Sequence, residues 1–399
     1  MSKAQEAWDA VFRRHFCPKT NLLYEFCIDG DSDAWHHLPK PEQIRKNIPN
    51  PCGWGTGMED SVMNGHMALD ALMWAREGSG EFDPKPLTDR LWEGLFHCRM
   101  PDGFVARSLS PEDGESHYIE SSRDQYTHWV AAGVRYYRSA LCTDEQNRRI
   151  REGIVAIAER CERQVTAENG FELLREDGSA GKVCRMWGEL GIHEWCRLPM
   201  IYLAAWHVTG DEKWKRKYLP LREEMARYFT DDLPPYRTYC YLQMQYALFT
   251  IYRLDGDEAF RERLERQMTV LAKRGEEQAI RASLYCRDPA HREGLYYDYR
   301  PWNEREPLKQ GVFNGYNYDN PAQSERPENA LFYPARTVSE GAIIAALCPR
   351  RRVRDEAVEA VNGLLNVLDL RRNRTVYHPL YLACASLLCA QNRKEHEKE

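Results

Sequence analysis

The chain alternates between two kinds of predicted helix, and this alternation constrains the fold more than any other feature. Six segments carry apolar residues on one side only, and six are apolar on nearly every face. A helix that is apolar all round is enclosed by protein, whereas a one-sided helix covers the outside. The one-sided segments are residues 3–16, 86–99, 144–165, 211–229, 257–274 and 352–369, and the apolar segments are 60–77, 121–141, 197–208, 238–253, 336–347 and 377–391.

Short turns join the two kinds of helix, twice in nearly the same residues. Residues 208–214 read VTGDEKW and residues 254–260 read LDGDEAF, with Asp211 and Asp257 placed as helix caps. This weak repeat of helical hairpins predicts an all-α fold, an (α/α)6 toroid of six hairpins with an inner and an outer ring, forming one catalytic domain over residues 1–399. An open solenoid is the alternative, but its repeats are usually more uniform.

Composition excludes several classes of protein. A net charge of −6 and a pI near 6.1 argue against a nucleic-acid partner, because phosphates require a basic face. No apolar run reaches the ~18 residues of a membrane span, and the amino terminus has no apolar signal region. The thirteen cysteines lie mostly among apolar neighbours and are expected to be reduced core thiols. We therefore expect a cytoplasmic protein without a membrane partner, and nothing in the sequence indicates its oligomeric state.

Four long loops precede predicted inner helices, at residues 41–59, 100–120, 166–196 and 275–335, so we expect all four to open on one face. They are rich in aromatic and polar residues, which is typical of a cleft that binds an oligosaccharide, although aromatic residues can also wedge loops against the core. Two very short segments, 103–106 and 170–174, are expected to pair as small β-hairpins on this rim. The candidate substrate-binding residues are Trp54, Glu59, Arg123, Gln125, His128, Trp187, Glu189, His193, Arg197, Trp302, Asn317 and Asp319.

Two aspartates stand at the mouths of adjacent inner helices. Asp60 precedes the first apolar helix and Asp124 the second, each after a long loop. Either could simply cap its helix. Neighbouring inner helices lie about 8–10 Å apart, however, so both carboxyl groups are expected to reach one sugar. They are the candidate catalytic residues, and burial is expected to raise the pKa of at least one of them.

No metal and no cofactor are expected. His193 and Glu194 are adjacent, but no second histidine follows at the spacing of a zinc-binding helix. Phosphate-cradling and dinucleotide-binding glycine motifs are absent as well. Arg123, Arg185 and Arg197 are candidates for binding the carboxylate of a uronic acid.

The segment Glu59-Asp60-Ser61-Val62-Met63-Asn64 resembles a catalytic segment of the six-hairpin glycosidase superfamily, specifically of the unsaturated glucuronyl and rhamnogalacturonyl hydrolases. The resemblance implies an exo-acting glycoside hydrolase that removes a uronic acid, with an aspartate as general acid and base and no metal. The motif assigns the main acid to Asp60, whereas hairpin order assigns it to Asp124. The sequence departs from the rhamnogalacturonyl pattern at Trp187-Gly188-Glu189, where an arginine-glycine-asparagine stretch is missing.

Three alternatives remain open at the level of sequence. One is an ordinary β-glucuronidase or another exo-glycosidase of this superfamily, with its two carboxylates about 5–9.5 Å apart. A second is a polysaccharide lyase or sugar epimerase on the same toroid, with His66, Tyr126, His128 or His193 as the base. The third is a scaffold that binds a peptide or glycan without catalysis.

Overall fold

The structure is a computed structural model that describes residues 2–27, 35, 37–79, 85–296, 312–313, 316–317 and 331–397. The helices in this part of the chain are α1 Lys3–Arg14, α2 Pro41–Arg45, α3 Ser61–Ser79, α4 Lys85–His97, α5 Arg123–Tyr136, α6 Asp144–Gln164, α7 Arg197–Thr209, α8 Glu212–Met225, α9 Thr238–Leu254, α10 Glu258–Arg287, α11 Phe332–Ala346, α12 Asp355–Val367 and α13 Tyr377–His396. Two antiparallel pairs of very short strands accompany them, β1 Phe16–Cys17 with β2 Leu22–Leu23 and β3 Val312–Phe313 with β4 Tyr316–Asn317.

The helices form two concentric rings. In the inner ring α3, α5, α7, α9, α11 and α13 each pack against the next, and α13 returns to α3, which closes the ring. Helices α1, α4, α6, α8, α10 and α12 pack on the outside. The predicted all-α (α/α)6 toroid is confirmed, and the closed ring excludes the open solenoid.

Burial follows the predicted pattern because each ring has its own kind of sequence. Helix α6 buries Ile150, Ile154, Ile157 and Cys161 on one side, whereas α7 buries every residue from Arg197 to Ala205. The turns before the outer helices α8 and α10 also match the prediction. The Asp211 side chain accepts a hydrogen bond from the Lys213 N–H, and the Asp257 side chain accepts one from the Phe260 N–H. Both aspartates therefore cap outer helices, as predicted.

Helix α10 is longer than the sequence pattern predicts, because residues 275–287 belong to it rather than to the loop assigned at 275–335. Gly275 does not end the helix, since it packs where a Cβ atom would lie 2.7 Å from the backbone oxygen of Gly341 in α11. Ala279, Ser283 and Cys286 continue the buried face beyond it. The glycine thus permits close helix packing instead of marking a turn.

The two predicted rim hairpins are reduced to single bridges. Val105 pairs with Arg99 and Glu172 pairs with Arg185, so each segment pairs within its own loop. All thirteen cysteines lie in the described part of the chain and are free thiols, most of them buried. Among the described residues, no helix combines the length and the apolar character needed to cross a membrane.

Candidate active site

A cavity of about 440 Å³ opens where the inner helices begin. Its wall includes residues at or next to the first turn of each inner helix: Asp60, Asp124, Arg197, Tyr239, Phe332 and Tyr377. Four carboxylates and five arginines line it, namely Glu25, Glu59, Asp60 and Asp124, and Arg107, Arg123, Arg197, Arg237 and Arg336. The amino-terminal ends of helices carry partial positive charge, so this end of the ring favours negatively charged groups.

Asp60 is held by hydrogen bonds from other helices. Its Oδ1 accepts from Gln125 Nε2 at 3.0 Å, and its Oδ2 accepts from the Tyr377 hydroxyl at 2.7 Å. Arg107 Nη1 stands 3.8 Å from Oδ1. The carboxylate therefore binds neighbours across the cavity mouth and does not cap its own helix.

Glu59 is a half-buried carboxyl group beside Asp60. Its Oε1 accepts a hydrogen bond from the Gly55 N–H, within a turn that contains Gly55 and Gly57 at positive φ. Burial, followed by the charge of Asp60, raises the pKa of Glu59 to about 7. Glu59 therefore exchanges its proton near neutral pH, which suits a general acid.

Glu25 is almost fully buried, at 1% exposure, on the same side of the cavity. Its Oε1 accepts hydrogen bonds from the backbone N–H of Glu59 at 2.6 Å and of Asp60 at 2.5 Å. Burial and the charges of these two neighbours raise the pKa of Glu25 well above its ordinary value.

Asp124 lies among positively charged side chains, whereas Glu59 has a negatively charged neighbour. It pairs with Arg197 Nη1, and Arg197 Nη2 donates to Gln243 Oε1 at 2.7 Å. Burial raises the pKa of Asp124, but the positive charges of Arg197 and Arg123 outweigh it and lower the pKa to about 2. Asp124 is thus ionised at neutral pH: its own pKa is not raised, because the charges of the arginines outweigh the effect of burial.

Further predicted residues meet at this cavity. Trp54, Arg123 and His193 line its wall. Arg123 donates to the Arg185 backbone oxygen at 3.0 Å and pairs with Glu194. Burial and the nearby arginine charges lower the pKa of His193 to about 3, so its ring is neutral at physiological pH.

Four predicted residues are not part of the cavity wall, and one of them, Gln125, reaches the site through its hydrogen bond to Asp60. His128 is fully buried and lies 2.7 Å from His66, measured between their Nδ1 atoms. Trp187 packs edge-on against Trp195, with 4.6 Å between the ring centroids, and this contact holds the loop in place. Glu189 is exposed to solvent. Trp302 and Asp319 lie outside the described residues, and Asn317 is described only as part of β4.

The structure also adds cavity residues that the sequence reasoning missed. Tyr377 opens α13 and Arg336 stands one turn into α11, so a search for polar side chains near the starts of the inner helices could have found them. Arg237, directly before α9, is another such case and stacks on Tyr333 at 4.1 Å. Glu25 follows β2 in an irregular segment and had no comparable signal.

Three of the four base candidates for an elimination or epimerisation are not part of the cavity wall. Tyr126 and His66 are buried away from the described wall, as is His128, which leaves His193 as the candidate that lines the cavity. Within the described ranges, no group of three or more histidine, cysteine, aspartate or glutamate side chains is arranged to hold a metal ion.

No known protein family matches the chain, and no curated protein is similar to it in sequence. Solved structures do resemble it. A novel α-amylase from Clostridium perfringens superposes with a TM-score of 0.50 at 10% identity, covering 98% of this chain and 97% of that one. This likeness supports the shared fold.

Two further structures match over nearly their whole length. An α-1,6-mannanase from a Salegentibacter species gives a TM-score of 0.47 at 11% identity, with 98% of both chains covered. A mannosidase from Bacteroides thetaiotaomicron gives 0.45 at 13% identity, with 100% of this chain and 99% of that chain covered.

Proposed function

We propose that this protein is a glycoside hydrolase that removes a uronic acid from the end of an oligosaccharide. The observation that carries the proposal is a single cavity in which one carboxyl group, Glu59, has a pKa of about 7 and another, Asp124, has a pKa of about 2. Two carboxyl groups whose pKa values are pushed apart can serve as acid and base at the same pH.

The roles follow from the partners of each carboxyl group. Glu59 is the proton donor, because a pKa of about 7 lets its carboxyl group hold a proton and release it near neutral pH. Asp60 and Asp124 are the catalytic carboxylates that act on water or on the sugar. Asp60 suits this role because both of its oxygens accept hydrogen bonds from fixed donors, Gln125 and Tyr377. This assignment gives Glu59 a catalytic role in place of the substrate-binding role expected from the sequence.

The proposed uronic acid follows from the excess of positive charge. Arg197 is buried and Arg123 is half-buried, so both are less accessible to a substrate carboxylate than an exposed arginine on the wall. Arg237 is exposed on the cavity wall, where its guanidinium group stacks on Tyr333. We assign the sugar carboxylate to Arg237, with the positive ends of the inner helices adding to the attraction.

The test is turnover of a panel of glycosides by the wild type and by Asp60→Asn and Asp124→Asn. Each substitution should lower kcat by about a thousandfold, the range expected for loss of an acid or base. Asp211→Asn is the matched control, since Asp211 caps an outer helix and asparagine caps equally well. Wild-type rates in either cavity variant would remove that residue from the mechanism.

The panel also separates the possible reactions. Loss of the ultraviolet absorbance of an unsaturated glucuronyl disaccharide would support hydration of its double bond. Release of glucuronic acid from a saturated nitrophenyl β-glucuronide would support ordinary hydrolysis. Turnover of neutral glucosides and xylosides at the same rate as uronides would reject the uronic acid.

A further inference from the structure

Glu25 joins three chain segments beside the cavity. One oxygen of its side chain accepts the N–H groups of both Glu59 and Asp60. Its own N–H donates to the Gly57 oxygen at 3.3 Å, and its backbone oxygen accepts from the Val376 N–H at 2.8 Å. The residue therefore contacts the turn before α3 and the start of α13 at the same time.

The start of α13 also carries a partner of Asp60. Val376 directly precedes Tyr377, whose hydroxyl group donates to Asp60 Oδ2 at 2.7 Å. The neighbouring bridge between Phe26 and Thr375 fastens the two segments further. Glu25 thus contacts the backbone of Asp60 directly and the segment that supplies one of its hydrogen-bond donors.

We propose that Glu25 is a positioning residue, whose side-chain oxygen sets the direction in which the Glu59 and Asp60 side chains enter the cavity. The inference rests on the catalytic roles proposed for those two residues. When two consecutive N–H groups converge on one oxygen, that oxygen fixes the peptide plane between them, and the plane determines where both side chains leave the backbone. Burying a third carboxyl group beside two others is unfavourable unless it is hydrogen-bonded, and these two N–H groups satisfy it.

Two substitutions distinguish the effect of the acceptor oxygen of Glu25 from the effect of its charge, namely Glu25→Gln and Glu25→Ala. Glutamine keeps an oxygen that can accept both N–H groups but carries no charge, whereas alanine removes the acceptor. We expect Glu25→Ala to lower kcat on the uronide by about a hundredfold, the scale of a misplacement of about 1 Å. We expect KM to change little and Glu25→Gln to stay close to the wild type.

Hydrogen exchange measured by mass spectrometry gives a readout that does not depend on activity. Peptides covering residues 55–64 should exchange about tenfold faster in Glu25→Ala, because the Glu59 and Asp60 N–H groups lose their acceptor, and should be restored in Glu25→Gln. Glu276→Ala is the matched control: Glu276 is also buried and accepts a backbone N–H, from Arg354 at 2.9 Å, but lies on an outer helix. It should lower stability without altering exchange of the 55–64 peptides.

Each outcome has a distinct meaning. Unchanged exchange of the 55–64 peptides in Glu25→Ala would overturn the positioning role, and so would an equal loss of kcat in Glu25→Gln. Glu25→Asp, which withdraws the oxygen by one methylene, serves if the alanine variant does not fold, and the same direction of change is expected. If the 55–64 peptides exchange faster in Glu25→Ala but the wild type turns over no glycoside, then Glu25 still positions this segment and the proposed function is rejected.

Discussion

The raised pKa of Glu59 predicts that the protein loses less stability with rising pH when Glu59 is replaced by glutamine. In the folded chain the pKa is about 7, against an ordinary value of 4.5. The folded state therefore holds a proton on Glu59 over a pH range in which the unfolded chain has released it. The stabilisation that this proton contributes is complete below about pH 4.5 and is lost as the pH rises through about 7.

The size of the effect follows from the difference between the two pKa values. That difference is about 2.5, and each pKa unit corresponds to about 1.4 kcal/mol, so the ionised side chain costs the folded state about 3 kcal/mol at pH 8 relative to acid pH. Most of this cost develops between about pH 5 and pH 8. Glutamine cannot ionise, so the Glu59→Gln variant does not lose this free energy of unfolding as the pH rises.

Urea unfolding of the wild type and of Glu59→Gln at several pH values measures the difference. Between pH 4 and pH 8 we expect the free energy of unfolding of the variant to rise by about 3 kcal/mol relative to that of the wild type. Glu262→Gln, a change at an exposed position on α10, controls for the loss of one negative charge. Parallel pH profiles for the wild type and Glu59→Gln would refute the raised pKa and, with it, the assignment of Glu59 as the acid.

Three further predictions concern the same site. The rate on a uronide should fall about tenfold from pH 6 to pH 8 as Glu59 loses its proton. Protonation of Asp124 should not lower the rate on the acid side until below about pH 4. A rate that rises across neutrality would contradict this assignment. Arg197→Met should lower the free energy of unfolding by about 1–3 kcal/mol in urea, because it removes the arginine that pairs with the half-exposed Asp124 and leaves Arg123 as its nearest remaining positive charge. Tyr377→Phe should lower stability by about 1 kcal/mol, measured in the same way, and reduce kcat/KM by removing a donor from Asp60.

The fold could be predicted from the sequence because each ring leaves its own local pattern. An inner helix such as α7 is apolar on all faces and an outer helix such as α6 on one, and both patterns are visible without knowledge of the partners. The end of α10 could not be predicted in this way. Gly275 normally suggests a helix boundary, and only its contact with Gly341 in another hairpin explains why the helix continues.

The positions of Asp60 and Asp124 could also be predicted, because the hairpin order places both at the same end of the ring. Their chemistry could not. The pKa of Asp124 is set by Arg197, which is 73 positions away in the sequence. Glu25 lies in an irregular segment, and its contact with Glu59 joins residues 34 positions apart in the sequence.

Asp124 and Glu59 have different roles because the arginines are unevenly distributed around the cavity. Both carboxyl groups lie at similar helix ends. Asp124 has Arg197 and Arg123 beside it, so its charge is compensated even where it is buried. Glu59 has Asp60 as its strongest charged neighbour, and the more weakly acting Arg107 and Arg336 do not offset burial. Exchanging the surroundings of the two carboxyl groups would therefore exchange their roles, since the positive helix ends act on both sides of the cavity.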